Sequence, residues 1–101
     1  MPQTYRKAEH NIVANNGETF VIELEGNPTT GYEWQLEFEP DQLELVDEAI
    51  QPLSNNVGAA AAHRFELRAA RPGKATVRAL YKRRWETKAI DQQTFDVEVT
   101  E

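Results

Sequence analysis

Cysteine is absent from the 101-residue chain, which rules out disulfides, thiolate metal sites and a cysteine nucleophile. No apolar run reaches the ~18 residues that a membrane-spanning helix needs. Histidine occurs twice, as His10 and His63. Neither has a plausible nucleophile and an orienting carboxylate near it in sequence, so a hydrolytic triad lacks its parts. The acids do not fall at metal-ligand spacing around these histidines either, so no zinc site is expected. The five glycines are dispersed and Gly58 stands alone, so no glycine-rich phosphate loop is present. The expectation is a protein that is not an enzyme and carries no metal or cofactor. No charged-then-apolar leader opens the sequence, so no secretory signal is expected in it. A leader removed beforehand would leave periplasm or export open. Asn27-Pro28-Thr29 imitates a glycosylation acceptor, but proline in its middle position blocks it.

Basic residues are also missing from a long stretch. Residues 17–50 contain ten acids and no Lys or Arg, whereas residues 64–88 contain nine Lys/Arg against Glu66 and Glu86. One reading is a basic face for nucleic acid. The other is that acidic strands lie beside basic ones and the charges pair across a sheet. The second is preferred, because the whole chain carries a net charge of −6 and its basic positions mostly alternate with apolar ones. No nucleic-acid or membrane partner is expected.

What is present is a pattern of alternating strands. A chain of this length forms one domain, here residues 1–101, and buries about 60–65% of its unfolded surface. Residues 3–9 read as a loose lead-in or edge strand, and Ile12-Val13 as a short apolar step. Asn16-Gly17 is a strong turn signal. From Thr19 to Glu25, Phe20, Ile22 and Leu24 alternate with Thr19, Val21, Glu23 and Glu25, the mark of a half-buried strand. Tyr32, Trp34, Leu36 and Phe38 repeat the pattern, and Pro40-Asp41 breaks it. Leu43 and Leu45 begin a strand that runs to about Ala49 and ends by Pro52. Ala59 to Ala62 favours helix by composition, but the run is too short to hold one and reads as the tip of a loop. Further strands follow over 63–70, 74–83 and 93–100, with Phe65, Leu67, Val77, Tyr81, Phe95 and Val97 inward.

Six or seven strands, turn signals every 8–12 residues and no amphipathic helix predict an antiparallel β-sandwich of the immunoglobulin-like kind. A small β-barrel is the alternative. In a sandwich, alternate connections emerge at one end. Loops 27–31, 56–62 and 84–90 should therefore cluster, with the turns at Asn16-Gly17, Pro40-Asp41 and Pro72-Gly73 at the other end.

Two of those loops carry unusual residues. In Asn27-Pro28-Thr29-Thr30-Gly31-Tyr32, the proline fixes its own φ and biases Asn27 away from helix. Gly31 permits a positive φ, and Thr29 and Thr30 are stiff at χ1. A rigid loop with two hydroxyls turned outward is expected, serving either as a binding wedge or as an ordinary turn. Trp85 follows Arg83 and Arg84 in a loop. It either folds back over the end of the core or stands exposed as a binding anchor, a role in which Trp and Arg are enriched.

Taken together, these motifs resemble the chagasin family, inhibitors of papain-like cysteine peptidases. The family's first loop reads Asn-Pro-Thr-Thr-Gly-aromatic, which Asn27 to Tyr32 match fully. Its middle loop carries Gly-x-Gly-Gly before a strand that begins near a Phe. Here Gly58, Ala59, Ala60 and Ala61 occupy those positions ahead of Phe65, with alanine for both later glycines. Its third loop is Arg-Pro-Trp after a strand ending in Tyr. Tyr81, Arg83 and Trp85 match, and Arg84 stands where proline is usual. The resemblance spans roughly residues 8 to 100.

It implies an immunoglobulin-like sandwich that acts as a monomer and closes a peptidase cleft reversibly and without a covalent bond. The partner would be a papain-like (clan CA) peptidase, of papain or cathepsin L type. Thr29 would sit beside the catalytic cysteine, Gly58 to Ala61 along one side, and Trp85 on apolar surface near the catalytic histidine. The competing expectation is an immunoglobulin-like adhesion or scaffolding module that binds another protein through the same loops. The two substitutions bear on affinity and target range: the alanines add methyl groups and limit positive φ, and Arg84 loosens the third loop and adds charge.

Overall fold

In the computed structural model the described residues are 3–6, 10–27, 30–52 and 60–101. They form eight strands: β1 (Gln3–Tyr5), β2 (Asn11–Asn15), β3 (Thr19–Gly26), β4 (Tyr32–Glu37), β5 (Leu43–Pro52), β6 (Ala61–Ala69), β7 (Gly73–Arg83) and β8 (Asp91–Thr100). Two four-stranded sheets, ordered β1-β3-β6-β5 and β2-β8-β7-β4, face each other. No α-helix occurs among the described residues. The expected sandwich is present with one strand more than the upper expectation.

The alternating apolar residues meet between the sheets. Phe20, Ile22 and Leu24 of β3 pack with Phe65 and Leu67 of β6, against Trp34 of β4, Val77 and Ala79 of β7 and Phe95, Val97 and Val99 of β8. Burial of this apolar surface is the main stabilising term. The polar residues of the same strands point outward, and there the charges pair. The Arg64 guanidinium lies 2.8 Å from the Glu23 carboxylate, which also meets Arg6 at 3.3 Å. Arg68 pairs with Glu44, and Arg78 with Glu37 at 3.4 Å. The two exposed pairs, Arg68–Glu44 and Arg78–Glu37, contribute little to stability, while Glu23 is largely shielded between its two arginines. What they establish is the destination of the basic stretch: much of it faces acids on neighbouring strands.

Four readings of the sequence are corrected. The sandwich is not wholly antiparallel: β1 runs parallel to β3, and β2 parallel to β8. The lead-in is thus two real edge strands, tied down by Tyr5, Ile12 and Ala14 in the core. Ala61 and Ala62 are not a loop tip. They begin β6, paired with Gly26 and Glu25 on one side and with Pro52 and Gln51 on the other. A central strand between two neighbours accepts small buried side chains, whatever their helix propensity. Val21, expected outward, is 6% exposed, flanked by Thr4 and Glu66. Leu45 is 41% exposed, because β5 is an edge strand and its register shifts between Leu45 and Asp47.

Candidate functional site

The register of four strands sets one end of the sandwich. Gly26 at the end of β3 pairs with Ala61 at the start of β6, and Tyr32 at the start of β4 pairs with Arg83 at the end of β7. The strand ends that bear the connections 27–31, 53–60 and 84–90 therefore lie at one end. At the opposite end, the Gly17 amide donates to the Ala69 carbonyl at 2.7 Å, and the Ala70 amide to the Gln42 carbonyl at 2.9 Å. The Gln42 side-chain amide reaches the Lys74 carbonyl at 2.9 Å. The separation of loops from turns expected from alternate connections is present.

The first loop is held from within. The Thr30 amide and hydroxyl both donate to the Asn27 carbonyl, at 3.3 and 2.7 Å, and the Tyr32 amide donates to the Thr30 hydroxyl at 3.4 Å. Gly31 takes φ 83°, the positive value anticipated. The expectation of two outward hydroxyls does not hold at Thr30, whose oxygen is turned back to close the loop. Pro28 and Thr29 lie outside the described residues.

The base of this loop is aromatic. Trp34 is 3% exposed, and its indole N–H donates to the Glu25 carbonyl at 3.0 Å. Tyr81 lies against Trp34, with ring centroids 4.9 Å apart, and against Tyr32 at 5.5 Å. The Arg83 guanidinium sits 4.5 Å from the Tyr32 ring centroid, a cation–π contact, and its Nε–H points at the Thr30 carbonyl at 3.5 Å. A cavity of about 150 Å³ lies at the foot of the loop, where Gly31 and Tyr32 face His63 and Ile50.

The third loop starts with a turn in which the Glu86 amide donates to the Arg83 carbonyl at 3.0 Å, and it closes where the Ile90 amide donates to the Tyr81 carbonyl at 2.8 Å. Trp85 is 75% exposed and does not cover the core. Its ring edge stands beside the first loop: a Cβ at Gly31 would lie 3.8 Å from both Trp85 Cη2 and Arg83 Nε. Arg84 reaches the Glu33 carboxylate at 3.5 Å.

The structure thus brings together Asn27, Thr30, Gly31, Tyr32, Arg83, Arg84 and Trp85. Ala61 lies at the same end but is 4% exposed inside β6, and Ala60 precedes it as an exposed residue. Gly58 and Ala59 lie outside the described residues. The roles of two residues escaped the sequence reading. Gly26 drew no reading of its own, because its close approach to Tyr81 comes from the facing sheet and not from a neighbour in sequence or in register. Tyr81 was read as an inward strand residue and as the tyrosine ahead of the third-loop motif, without its bond to the first loop.

Both histidines have partners, His63 at the floor of the cavity beneath the first loop and His10 away from the loops. His63 is buried, stacks on Phe65 at 4.3 Å and meets Glu48 at 3.0 Å, while His10 Nδ1 lies 2.6 Å from the Gln93 amide nitrogen. Among the described residues no three His, Cys, Asp or Glu side chains come together as a metal site. The site offers one exposed aromatic and stiff backbone, which suits contact with another surface.

The sequence profile of the family described as "chagasin family peptidase inhibitor I42" matches residues 13–99. Amoebiasin-2 of Entamoeba histolytica is 32% identical over 68 residues, covering 64% of this chain and 55% of that protein. The match thus spans about half the length of that relative. The crystal structure of the cysteine protease inhibitor EhICP2 from Entamoeba histolytica superposes with a TM-score of 0.84 at 24% identity, covering 96% of this chain and 94% of that one. The solution structure of amebosin gives a TM-score of 0.64 at 23% identity, covering 99% and 97%. PbICP-C, solved in complex with falcipain-2, gives 0.57 at 21%, covering 99% and 92%. At these identities the structures establish the shared fold.

Proposed function

The chain belongs to the chagasin family of peptidase inhibitors, and from that premise we propose that it inhibits papain-like (clan CA) cysteine peptidases by reversible, non-covalent occlusion of the active-site cleft. Residues 1–101 act as one inhibitor domain, a monomer binding one peptidase. The observation that carries the reading is Trp85, 75% exposed at the edge of the Gly31 loop. A large aromatic held in water beside a stiff loop costs solvation unless a partner covers it, and such residues dominate interface energetics.

The first loop enters the middle of the cleft and brings Thr29 beside the catalytic cysteine. Trp85 packs on apolar surface to one side, and the Gly58–Ala61 segment lies along the other, with Ala60 as its described exposed residue. The loop is already closed by the Thr30 hydrogen bonds and the aromatic base, so little ordering entropy is lost on binding and more of the contact energy appears as affinity. An interface of roughly 1,600 Å² is sufficient. None of the three loops forms a bond to the thiol, so inhibition is reversed by dilution. That PbICP-C was solved in complex with falcipain-2 supports this choice of partner class.

Titration of papain and a cathepsin L-like enzyme tests the reading. Stoichiometric loss of activity at nanomolar to micromolar inhibitor, recovered on dilution, is expected. Full residual activity at micromolar inhibitor overturns it.

A further inference from the structure

The structure assigns Tyr81 as the positioning residue that fixes the first and third loops relative to each other. Three of its groups act at once. Its hydroxyl oxygen accepts a hydrogen bond from the Asn27 amide at 3.0 Å, joining positions 54 apart in the chain at the point where the first loop begins. Its carbonyl accepts from the Ile90 amide at 2.8 Å, the bond that closes the third loop. Its ring lies tilted against two others, Trp34 with centroids 4.9 Å apart and Tyr32 at 5.5 Å, and the Arg83 guanidinium lies over Tyr32.

Strand pairing supplies this geometry. Trp34 pairs with Tyr81 and Tyr32 with Arg83 across β4 and β7, so the four side chains form one ladder from the core to the exposed end. Trp85 stands two residues beyond that ladder. A shift of the Tyr81 ring moves Asn27 and Tyr32 on one loop and the root of Trp85 on the other.

Gly26 is the complement of this arrangement. A Cβ there would lie 3.0 Å from Tyr81 Cε1, 3.3 Å from its hydroxyl and 3.5 Å from Trp34 Nε1. Contacts of 3.0 Å force a neighbour to move, and the neighbour is the ring that carries the Asn27 contact. The residue before the Asn-Pro-Thr-Thr-Gly loop is therefore glycine because Tyr81 occupies the space, not because of its own φ, which is not positive.

Only the inhibition arm of the test rests on the function proposed above. Tyr81→Phe removes the hydroxyl and keeps the ring contacts; Gly26→Ala keeps the hydroxyl and displaces the ring. Both variants and the wild-type chain are measured for amide hydrogen exchange by NMR and for inhibition of papain. In each variant the Asn27 amide exchanges about tenfold faster, the size expected for losing one partly buried hydrogen bond, while the Ile22 and Phe65 amides keep wild-type protection. The inhibition constant rises about tenfold in both. Unchanged Asn27 exchange in Tyr81→Phe overturns the assignment. So does uniform loss of protection through the core, which would make Tyr81 a general structural prop, and so does unaltered inhibition by both variants. A wild-type chain that fails to inhibit overturns the functional reading instead, and the exchange arm still decides the positioning role.

Discussion

The two ends of this sandwich are fastened by different means. At the turn end the bonds are largely main chain to main chain: Asn16 to Thr100 at 2.6 Å, Gly17 to Ala69 at 2.7 Å and Ala70 to Gln42 at 2.9 Å. At the loop end they are mostly made by side chains: the Tyr81 and Thr30 hydroxyls, the Trp34 indole and the Arg83 guanidinium. Main-chain bonds tolerate most substitutions, because every non-proline residue supplies the same groups. Side-chain bonds belong to particular residues. The turn end therefore tolerates more substitutions than the loop end, its positive-φ glycines and the Gln42, Glu18 and Thr100 side-chain bonds apart, while the loop end can be reshaped by single changes that leave the sheets untouched. A surface that must fit a partner gains from that arrangement.

The largest expected effect breaks the comparison at the loop end. Trp85→Ala removes an exposed ring, so the melting temperature should stay within about 2 °C of wild type. Inhibition of papain should weaken by at least ~30-fold, as for an interface hot spot. Thr29→Arg, which places bulk and charge in the proposed wedge, should weaken it comparably, also without unfolding. Near-normal inhibition by both variants would point to binding through another face.

A matched pair comes next. Gly31 and Gly17 have φ of 83° and 88°, one at each end. Alanine at either position costs about 1 kcal/mol of backbone strain, a fall of ~4–8 °C in melting temperature for a domain of this size. An added Cβ meets nothing within 4 Å at Gly17 and meets Arg83 and Trp85 at 3.8 Å at Gly31. Both variants should melt earlier by similar amounts, and only Gly31→Ala should raise the inhibition constant, about tenfold. An equal rise from Gly17→Ala would mean that inhibition tracks global stability, and the contrast between the ends would be lost.

Much of this was legible in the chain. Period-2 alternation marks β3, β4, β6, β7 and β8 because one face of each packs into the core and the other is mostly polar, Val21 and Ala62 being the buried exceptions. The turn signals at Asn16-Gly17 and Pro72-Gly73 place the turn end because glycine and proline act locally. Pairing between distant segments was not legible. The β1 strand has three residues, too few for periodicity, and its parallel bond to β3 depends on the rest of the fold. Ala61 and Ala62 looked like loop because composition does not report the two strands that flank them. The loop motif itself was visible, but what holds it was not. Thr30 was expected to present its hydroxyl and instead spends it on Asn27, and Tyr81 acts on a residue 54 positions away. Sequence shows which residues are unusual, while their partners come from register.

The smallest expected effect concerns Arg84, which stands where the family usually has proline. The Glu86 amide donates to the Arg83 carbonyl, so Arg83 to Glu86 form a β-turn with Arg84 in its second position. That is the position in which proline is favoured, because its fixed φ matches the turn. Arg83 is the last paired residue of β7, extended as a residue before proline prefers to be. Arginine therefore already adopts the proline-like turn, and its pair with Glu33 adds little, since the Arg84 side chain is 83% exposed. Arg84→Pro should stabilise the domain by about 0.4–1 kcal/mol through the unfolded state, and should tighten inhibition two- to fivefold by narrowing the range of Trp85 positions before binding. Arg84→Ala should change inhibition by less than threefold, because it removes the charge and leaves the turn. If Arg84→Ala weakened inhibition more than Arg84→Pro strengthened it, Arg84 would be contacting the peptidase directly, and the third loop would owe its fit to charge as well as to shape.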